Sequence, residues 1–191
     1  MKKGFVFILF VMLFSVTVIS AKDKGGTADS SDKKSERALR KSEQAAKDSV
    51  SHILAVEAIE RSEYIFKITS INTQRGRIEY VNANVNFLLV EDNMFTFQTS
   101  TGFGGGPNNM GGITTKGLVK DVDKSVDKHG NITYTFSLVS SLFNANVTLF
   151  VQGGSNSGDL YMNFQRGPES ATMFGAVYPK ESARLYEGGY M

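Results

Sequence analysis

Ile132-Thr133-Tyr134-Thr135-Phe136-Ser137-Leu138 alternates four large apolar residues with three small hydroxyl-bearing ones. Successive side chains of an extended strand point to opposite faces, so this spelling gathers the apolar groups on one side and the hydroxyls on the other. A helix of the same composition would scatter them around its axis. The segment therefore reads as a strand of an antiparallel sheet, one face in a core and one toward water. Toward the C-terminus, Ala145, Val147, Leu149 and Val151 alternate with Asn146, Thr148 and Phe150, and Leu160, Met162 and Phe164 alternate with Tyr161 and Asn163. Toward the N-terminus, Phe95 and Phe97 alternate with Thr96 and Gln98; Val85, Phe87 and Leu89 form another run, and Ile78 and Tyr80 another. Tyr64, Phe66 and Ile68 alternate with Ile65, Lys67 and Thr69.

Turn residues punctuate these runs at Glu91-Asp92-Asn93, Lys128-His129-Gly130-Asn131, Gly153-Gly154-Ser155-Asn156 and Arg166-Gly167-Pro168. Such short links make sequence neighbours into spatial neighbours. About eight twisted strands joined this way must curl or close. The expected fold is α+β and mostly β: a curved antiparallel meander or small β-barrel with an N-terminal helix packed on it.

That helix is expected from about Ser35 to Arg61, a stretch without Pro or Gly. Ala46, Val50, Ile53, Leu54, Ala58 and Ile59 recur at helical spacings, and the C-terminal half of this stripe is expected to dock on the sheet. Glu36–Arg40, Glu43–Lys47 and Glu57–Arg61 are four apart in the favourable order. Residues 22–34 are small, polar and charged and read as a flexible tether. Ahead of them, Lys2 and Lys3, an apolar run from Phe5 to Ile19 and small residues at Ser20 and Ala21 have the three regions of a secretory signal peptide, residues 1–21. Residues 35–191 then form a single helix-plus-sheet domain.

The net charge of +2 is supplied by Lys2 and Lys3. Without them 19 basic residues balance 19 acidic ones, which argues against nucleic-acid binding. The chain has no cysteine, so it has neither disulfides nor a residue to lipidate. The expectation is a periplasmic or secreted protein that is not a lipoprotein and has no membrane span once the leader is removed.

The candidate site is the segment Gly102-Phe103-Gly104-Gly105-Gly106-Pro107-Asn108-Asn109-Met110-Gly111-Gly112, in which six of eleven residues are glycine. A phosphate-cradling loop would open a helix and carry Lys followed by Ser or Thr; here strand-like Ile113-Thr114-Thr115 follows. The segment reads either as a plain hairpin loop or as a lid, with Phe103 and Met110 as its apolar contacts and Phe95 and Phe97 as ligand-facing aromatics behind it. His52 and His129 have no partner at metal-binding spacing, so no metal and no cofactor is implied. Asp121 and Asp123 are spaced to share one strand face, but the lysines around them suggest a solvated, charge-guarded sheet edge instead. No nucleophile motif of the GxSxG kind occurs.

Asn82-Ala83-Asn84-Val85-Asn86-Phe87, then Phe97-Gln98, then the glycine segment running into Gly111-Gly112-Ile113-Thr114-Thr115-Lys116-Gly117, together with the late Gly175-Ala176-Val177-Tyr178-Pro179, resemble the domain of unknown function numbered 4251. The resemblance spans most of the chain from about Ala45. It implies a small β-rich protein exported by Bacteroidetes. Many such relatives look like lipoproteins, from which this chain departs by lacking the cysteine. The family lends no catalytic residues.

The function expected on these grounds is that of a non-catalytic envelope protein. Its curved sheet would bind a small apolar or amphipathic ligand against Phe66, Phe87, Phe95, Phe97 and Phe136, because barrel mouths are common ligand sites. The alternatives are an envelope protein–protein interaction module and a hydrolase of wall or glycan material; the latter needs two facing carboxylates, and the sequence does not pair any.

Overall fold

The computed structural model of the chain describes residues 28–72, 76–100, 112–165 and 170–182. The chain divides into a unit of residues 1–38 and a unit of residues 39–191; the account below is of the second. Helix α1 runs Ala28–Glu60, so it starts seven residues before Ser35 and takes in part of the segment read as a tether. Nine strands follow among the described residues: β1 Glu63–Asn72, β2 Ile78–Tyr80, β3 Phe87–Glu91, β4 Met94–Thr99, β5 Ile113–Val126, β6 Ile132–Ser140, β7 Asn144–Val151, β8 Ser157–Phe164 and β9 Ser170–Pro179, then a 3-10 turn at Lys180–Ser182. Among the described residues, no helix is long and apolar enough to cross a membrane.

From β3 to β9 each strand pairs antiparallel with the next, and β9 returns to pair with β1 along Tyr64–Asn72. The sheet is thereby closed: an eight-stranded barrel, ordered β1-β3-β4-β5-β6-β7-β8-β9, with no free edge at the seam. The short β2 shares one side of β1 with β3. β3 covers Glu63–Lys67 and β2 covers Ser70–Asn72. Closure requires strong curvature, and Gly158 and Gly175 supply it on neighbouring strands. A Cβ on Gly158 would meet the carbonyl oxygen of Phe150, and one on Gly175 the carbonyl oxygen of Lys67. Only residues without a side chain let the strands bend this tightly.

The alternation read from β6 holds residue by residue, with Ile132, Tyr134, Phe136 and Leu138 buried and the hydroxyl residues between them less so. These four join Tyr64, Phe66, Leu88, Val90, Phe95, Phe97, Val147, Leu149, Leu160, Met162, Met173 and others in one core cluster that fills the barrel. Phe143 packs edge-on against Phe97 and Phe164 at one end of it. β3 is buried on both faces: Leu88 and Val90 enter the barrel core, while Phe87 and Leu89 form a second cluster with Ile65. Phe87 therefore faces away from Phe66 and Phe97 and does not share an inner face with them.

Hairpin alternation sorts the connections to two mouths. α1, the β5–β6 turn and the β7–β8 turn lie at one, and Ser100, Gly112 and Phe143 at the other. α1 closes its mouth with Ala55, Ala58 and Ile59, all in the core cluster. Two alanines let the helix axis approach closely, and burying Ile59 contributes about 2 kcal/mol. Val50, Ile53 and Leu54, expected to dock, are exposed. The reason is phase: at about 100° per residue, Val50 and Ile53 lie on the side of the helix opposite Ala55 and Ile59, and Leu54 lies at the flank of the docked face.

Two carboxylates do not share the strand face that their spacing suggests, but they do lie on a solvated edge. Asp121 has φ of 52° and stands in a β-bulge between Lys120 and Asp123. The extra residue breaks the two-residue phase, so Asp121 and Asp123 do not share a regular strand face. The stretch containing both pairs on one side only, with β6, while the first part of β5 lies between β4 and β6.

Candidate functional site

Phe150, Asp159 and Phe174 occupy the outward phase of β7, β8 and β9, because Leu149, Leu160 and Met173 beside them point into the core. Register then aligns them. Phe150 is directly opposite Asp159, and Asp159 directly opposite Phe174. With strands about 4.8 Å apart, a carboxylate stands between two phenyl-bearing positions in a single row across the outer wall. In the next row Gly158 faces Gly175, both in the inward phase, so the outer floor there is main chain. The result is a groove of about 240 Å³ lined by these residues with Thr69, Gln152 and Ser157.

Each rim residue has a structural reason for its place. Thr69 is at the bulge of β1 between Ile68 and Ser70, and its hydroxyl donates to the Phe174 carbonyl at 3.1 Å. A bulge re-aims a side chain relative to its strand. Gln152 and Ser157 flank the β7–β8 turn, where the Gln152 N–H donates to the Ser157 carbonyl at 2.9 Å. The turn itself is held from two sides. His52 of α1 lies 2.8 Å by its Nδ1 from the Ser155 carbonyl. A carbonyl only accepts, so the His52 proton is on Nδ1. Asn156 donates its side-chain amide to the Val177 carbonyl at 2.9 Å. The helix thus steadies one rim of the groove.

Asp159 is the one charged residue among those that line the groove, which makes the site negative. Phe150 keeps 37 % of its surface exposed. An apolar face and an acidic acceptor side by side suit a ligand with an apolar body and a cationic or hydrogen-bond-donating head. Among the described residues, no group of three His, Cys, Asp or Glu side chains is placed to hold a metal ion. His129 belongs to the β5–β6 turn, which Asp127 organises by accepting the His129 and Asn131 main-chain N–H groups at 2.7 and 3.0 Å. The Asn131 side chain also donates to Asp127, and these bonds, that one first, hold its carboxyl below the usual aspartate range.

The residues expected to line a ligand site are distributed differently. Phe95 and Phe97 are each 1 % exposed and pack against Phe143 in the core, so they form no part of the groove. Phe103, Met110, Gly102, Gly104, Gly105, Gly106 and Gly111 lie outside the described residues. Gly112 stands immediately before β5, where a Cβ would meet the Thr99 carbonyl oxygen. Phe150 was legible as an aromatic on the wet face of an alternating strand. Its juxtaposition with Asp159 and Phe174 was not, since it depends on register across three strands.

The residues flanking the glycine segment form a second polar feature. Asn86 is fully buried and uses its whole amide. Its Nδ2 donates to the Asn82 carbonyl at 2.8 Å and to Ser100 Oγ at 2.9 Å. Its Oδ1 accepts from the Ser100 N–H at 2.8 Å and Thr99 Oγ1 at 3.1 Å. On the other face, Gln98 donates to the Val85 carbonyl and accepts from Thr114 Oγ1, both at 3.1 Å. The Asn82–Asn86, Gln98 and Thr114 signature is therefore a brace that ties β3, β4 and β5 together.

Comparison with known proteins agrees with this architecture. The model of DUF4251, a domain of unknown function, matches residues 46–174, more than half of the chain. A crystal structure of a DUF4251 family protein from Bacteroides eggerthii DSM 20697 is similar at a TM-score of 0.65 and 28 % sequence identity, covering 77 % of this chain and 99 % of that one. No curated protein matches the sequence.

Proposed function

The chain belongs to the DUF4251 family, and on that premise we propose that it is an exported, non-catalytic binding module of the cell envelope, holding a small amphipathic ligand in the outer-wall groove. The observation that carries this reading is the cross-strand row Phe150–Asp159–Phe174. Aromatic faces cover an apolar body, and a carboxylate attracts a positive or proton-donating head. A cation near an exposed ring gains about 0.5–1 kcal/mol, and an exposed ion pair adds about as much. The expected affinity is accordingly weak, roughly 10 mM or above for a small ammonium. Anionic amphiphiles are disfavoured by Asp159. The non-catalytic assignment rests on chemistry: general acid–base hydrolysis of glycans needs a second facing carboxylate, and Asp159 has none in the groove. Export rests on the leader-like residues 1–21.

Titration with benzyltrimethylammonium, followed by calorimetry or amide chemical shifts, tests the reading. Binding is expected to weaken roughly two- to fivefold in Asp159→Asn and in Phe174→Ala, with thermal melting little changed because both side chains face outward. Benzoate is expected not to bind. Equal binding of benzoate, or undiminished binding in both variants, would remove the groove from consideration. Native mass spectrometry of protein purified without detergent would then identify any co-purifying molecule by its class.

A further inference from the structure

The row that holds Phe150, Asp159 and Phe174 begins at Thr133 of β6, and register sets two more rows beside it on the outer wall of β6–β9. The first is Thr135–Thr148–Tyr161–Thr172, the second Ser137–Asn146–Asn163–Ser170. All lie in the outward phase, since Phe136, Val147, Leu160, Met162 and Ala171 between them belong to the core cluster. None of these residues is charged, although about a quarter to a third of an ordinary soluble surface is. The neutrality stops one strand away, where β5 sets Asp123 opposite Thr135 and Lys120 opposite Ser137. Tyr161 keeps 43 % of its surface exposed, with a threonine on each side of it. In the second row the Ser137 hydroxyl donates to Asn146 Oδ1 at 3.2 Å, which engages the amide oxygen and leaves the N–H donors for another partner.

This composition selects the occupant. A nucleic acid or an anionic membrane calls for basic residues, and a charged metabolite for an opposite charge; these two rows hold neither. A protein partner calls for a cluster of large anchors, and the rows hold one. What they offer is a single open ring amid hydroxyls and amides that can donate and accept. The complement of such a face is a molecule with many hydroxyls and an apolar C–H face to its rings. We propose that this wall binds a neutral, extended oligosaccharide, one sugar ring stacked on Tyr161 and its hydroxyls hydrogen-bonded to Thr148, Thr172, Asn146 and Asn163. A row across four strands is about 14 Å long, which several linked sugars cover. The strands hold these side chains at fixed spacing, so the site is formed before the ligand arrives. The proposal does not rest on the neighbouring groove, whose lining is acidic through Asp159.

Titration of the purified protein with cellotetraose and with chitotetraose, followed by amide chemical shifts, tests the proposal. One or both are expected to shift residues of β7–β9 around Tyr161 at roughly 10 mM, to the same extent at about 50 and about 500 mM salt. Tyr161→Ala is expected to weaken binding roughly fivefold and Tyr161→Phe to keep it within about twofold, because the ring is the platform. Asn146→Ala and Asn163→Ala are expected to weaken it about two- to fivefold each. Melting should change little, since all these side chains face outward. Asp159→Asn is expected to leave oligosaccharide binding within about twofold while weakening the ammonium probe, so failure of one site is told apart from failure of the other. No shift with either sugar overturns the proposal. So does binding that Tyr161→Ala leaves undiminished, or that high salt abolishes.

Discussion

The two mouths of the barrel are closed by opposite chemistry. At one, α1 lowers Ala55, Ala58 and Ile59 onto Tyr64 and its neighbours, an apolar contact beneath which the Tyr64 hydroxyl is buried without a hydrogen-bond partner. At the other, the Asn86 side chain is just as buried but saturated with hydrogen bonds that hold β3 to β4. Burial alone does not say whether a polar group supports a fold. The difference lies in whether its partners are present: an orphaned hydroxyl costs its desolvation, while a saturated amide makes its neighbours dependent on it.

The strongest test of this contrast removes the amide. Asn86→Leu removes the acceptor of the Ser100 N–H and of the buried Thr99 hydroxyl, and the donor to the Asn82 carbonyl. The expected loss is about 3 kcal/mol, on the order of 10 °C in Tm for a domain of this size. Urea unfolding monitored by circular dichroism measures it. A loss below about 1 kcal/mol would mean that water replaces the amide and that the brace is not structural.

The same contrast between wet and dry surroundings decides which parts of the fold are legible in the amino-acid sequence. Strands such as β6, with polar residues between apolar ones, announce themselves because one wall faces water. β9 does not: its inward positions are Ala171, Met173, Gly175 and Val177, and its outward ones include Phe174 and Tyr178. That weak alternation hides the strand that turns a meander into a barrel. The helix was legible as amphipathic, yet its apolar residues occupy two faces, and composition alone could not say which one meets the barrel. The Asn86 brace was visible as a motif without a meaning, because hydrogen bonds between residues fourteen apart leave no periodic trace. The groove was the least legible feature, since Phe150, Asp159 and Phe174 meet only through register.

At the helix-capped mouth, deleting a polar group has the opposite expected sign. Burial pushes the Tyr64 phenol well above its ordinary range, and the nearby Tyr134 adds to it. Its ring packs edge-on to Tyr134 at 6.1 Å. Tyr64→Phe keeps that ring contact and removes the orphaned oxygen. The expected result is a gain of about 1 kcal/mol, or a few degrees in Tm. Destabilisation by a similar amount would show that the hydroxyl has a partner after all, and the contrast between the mouths would collapse to one of degree.

The smallest effect concerns the turn that holds the helix-capped mouth in order. Asp127 gathers His129 and Asn131, and Asn131 in turn accepts the Gly153 N–H at 2.7 Å, linking the β5–β6 turn to the β7–β8 turn that His52 touches. Because these bonds favour the ionised form, the folded-state pKa of Asp127 lies below its unfolded value of about 3.9. Its contribution to stability is then fully present above that unfolded value and is lost as pH falls through the lower, folded one. Asp127→Ala should therefore melt earlier than the parent protein at neutral pH, by roughly a degree or two for so exposed a group. The gap should narrow below about pH 4 and close in stronger acid. Melting curves of both proteins across that range decide the matter. A gap that stays constant with pH would assign the effect to the shape of the turn rather than to its charge, leaving the apolar contacts of Ile59 and the His52 bond to order this mouth by themselves.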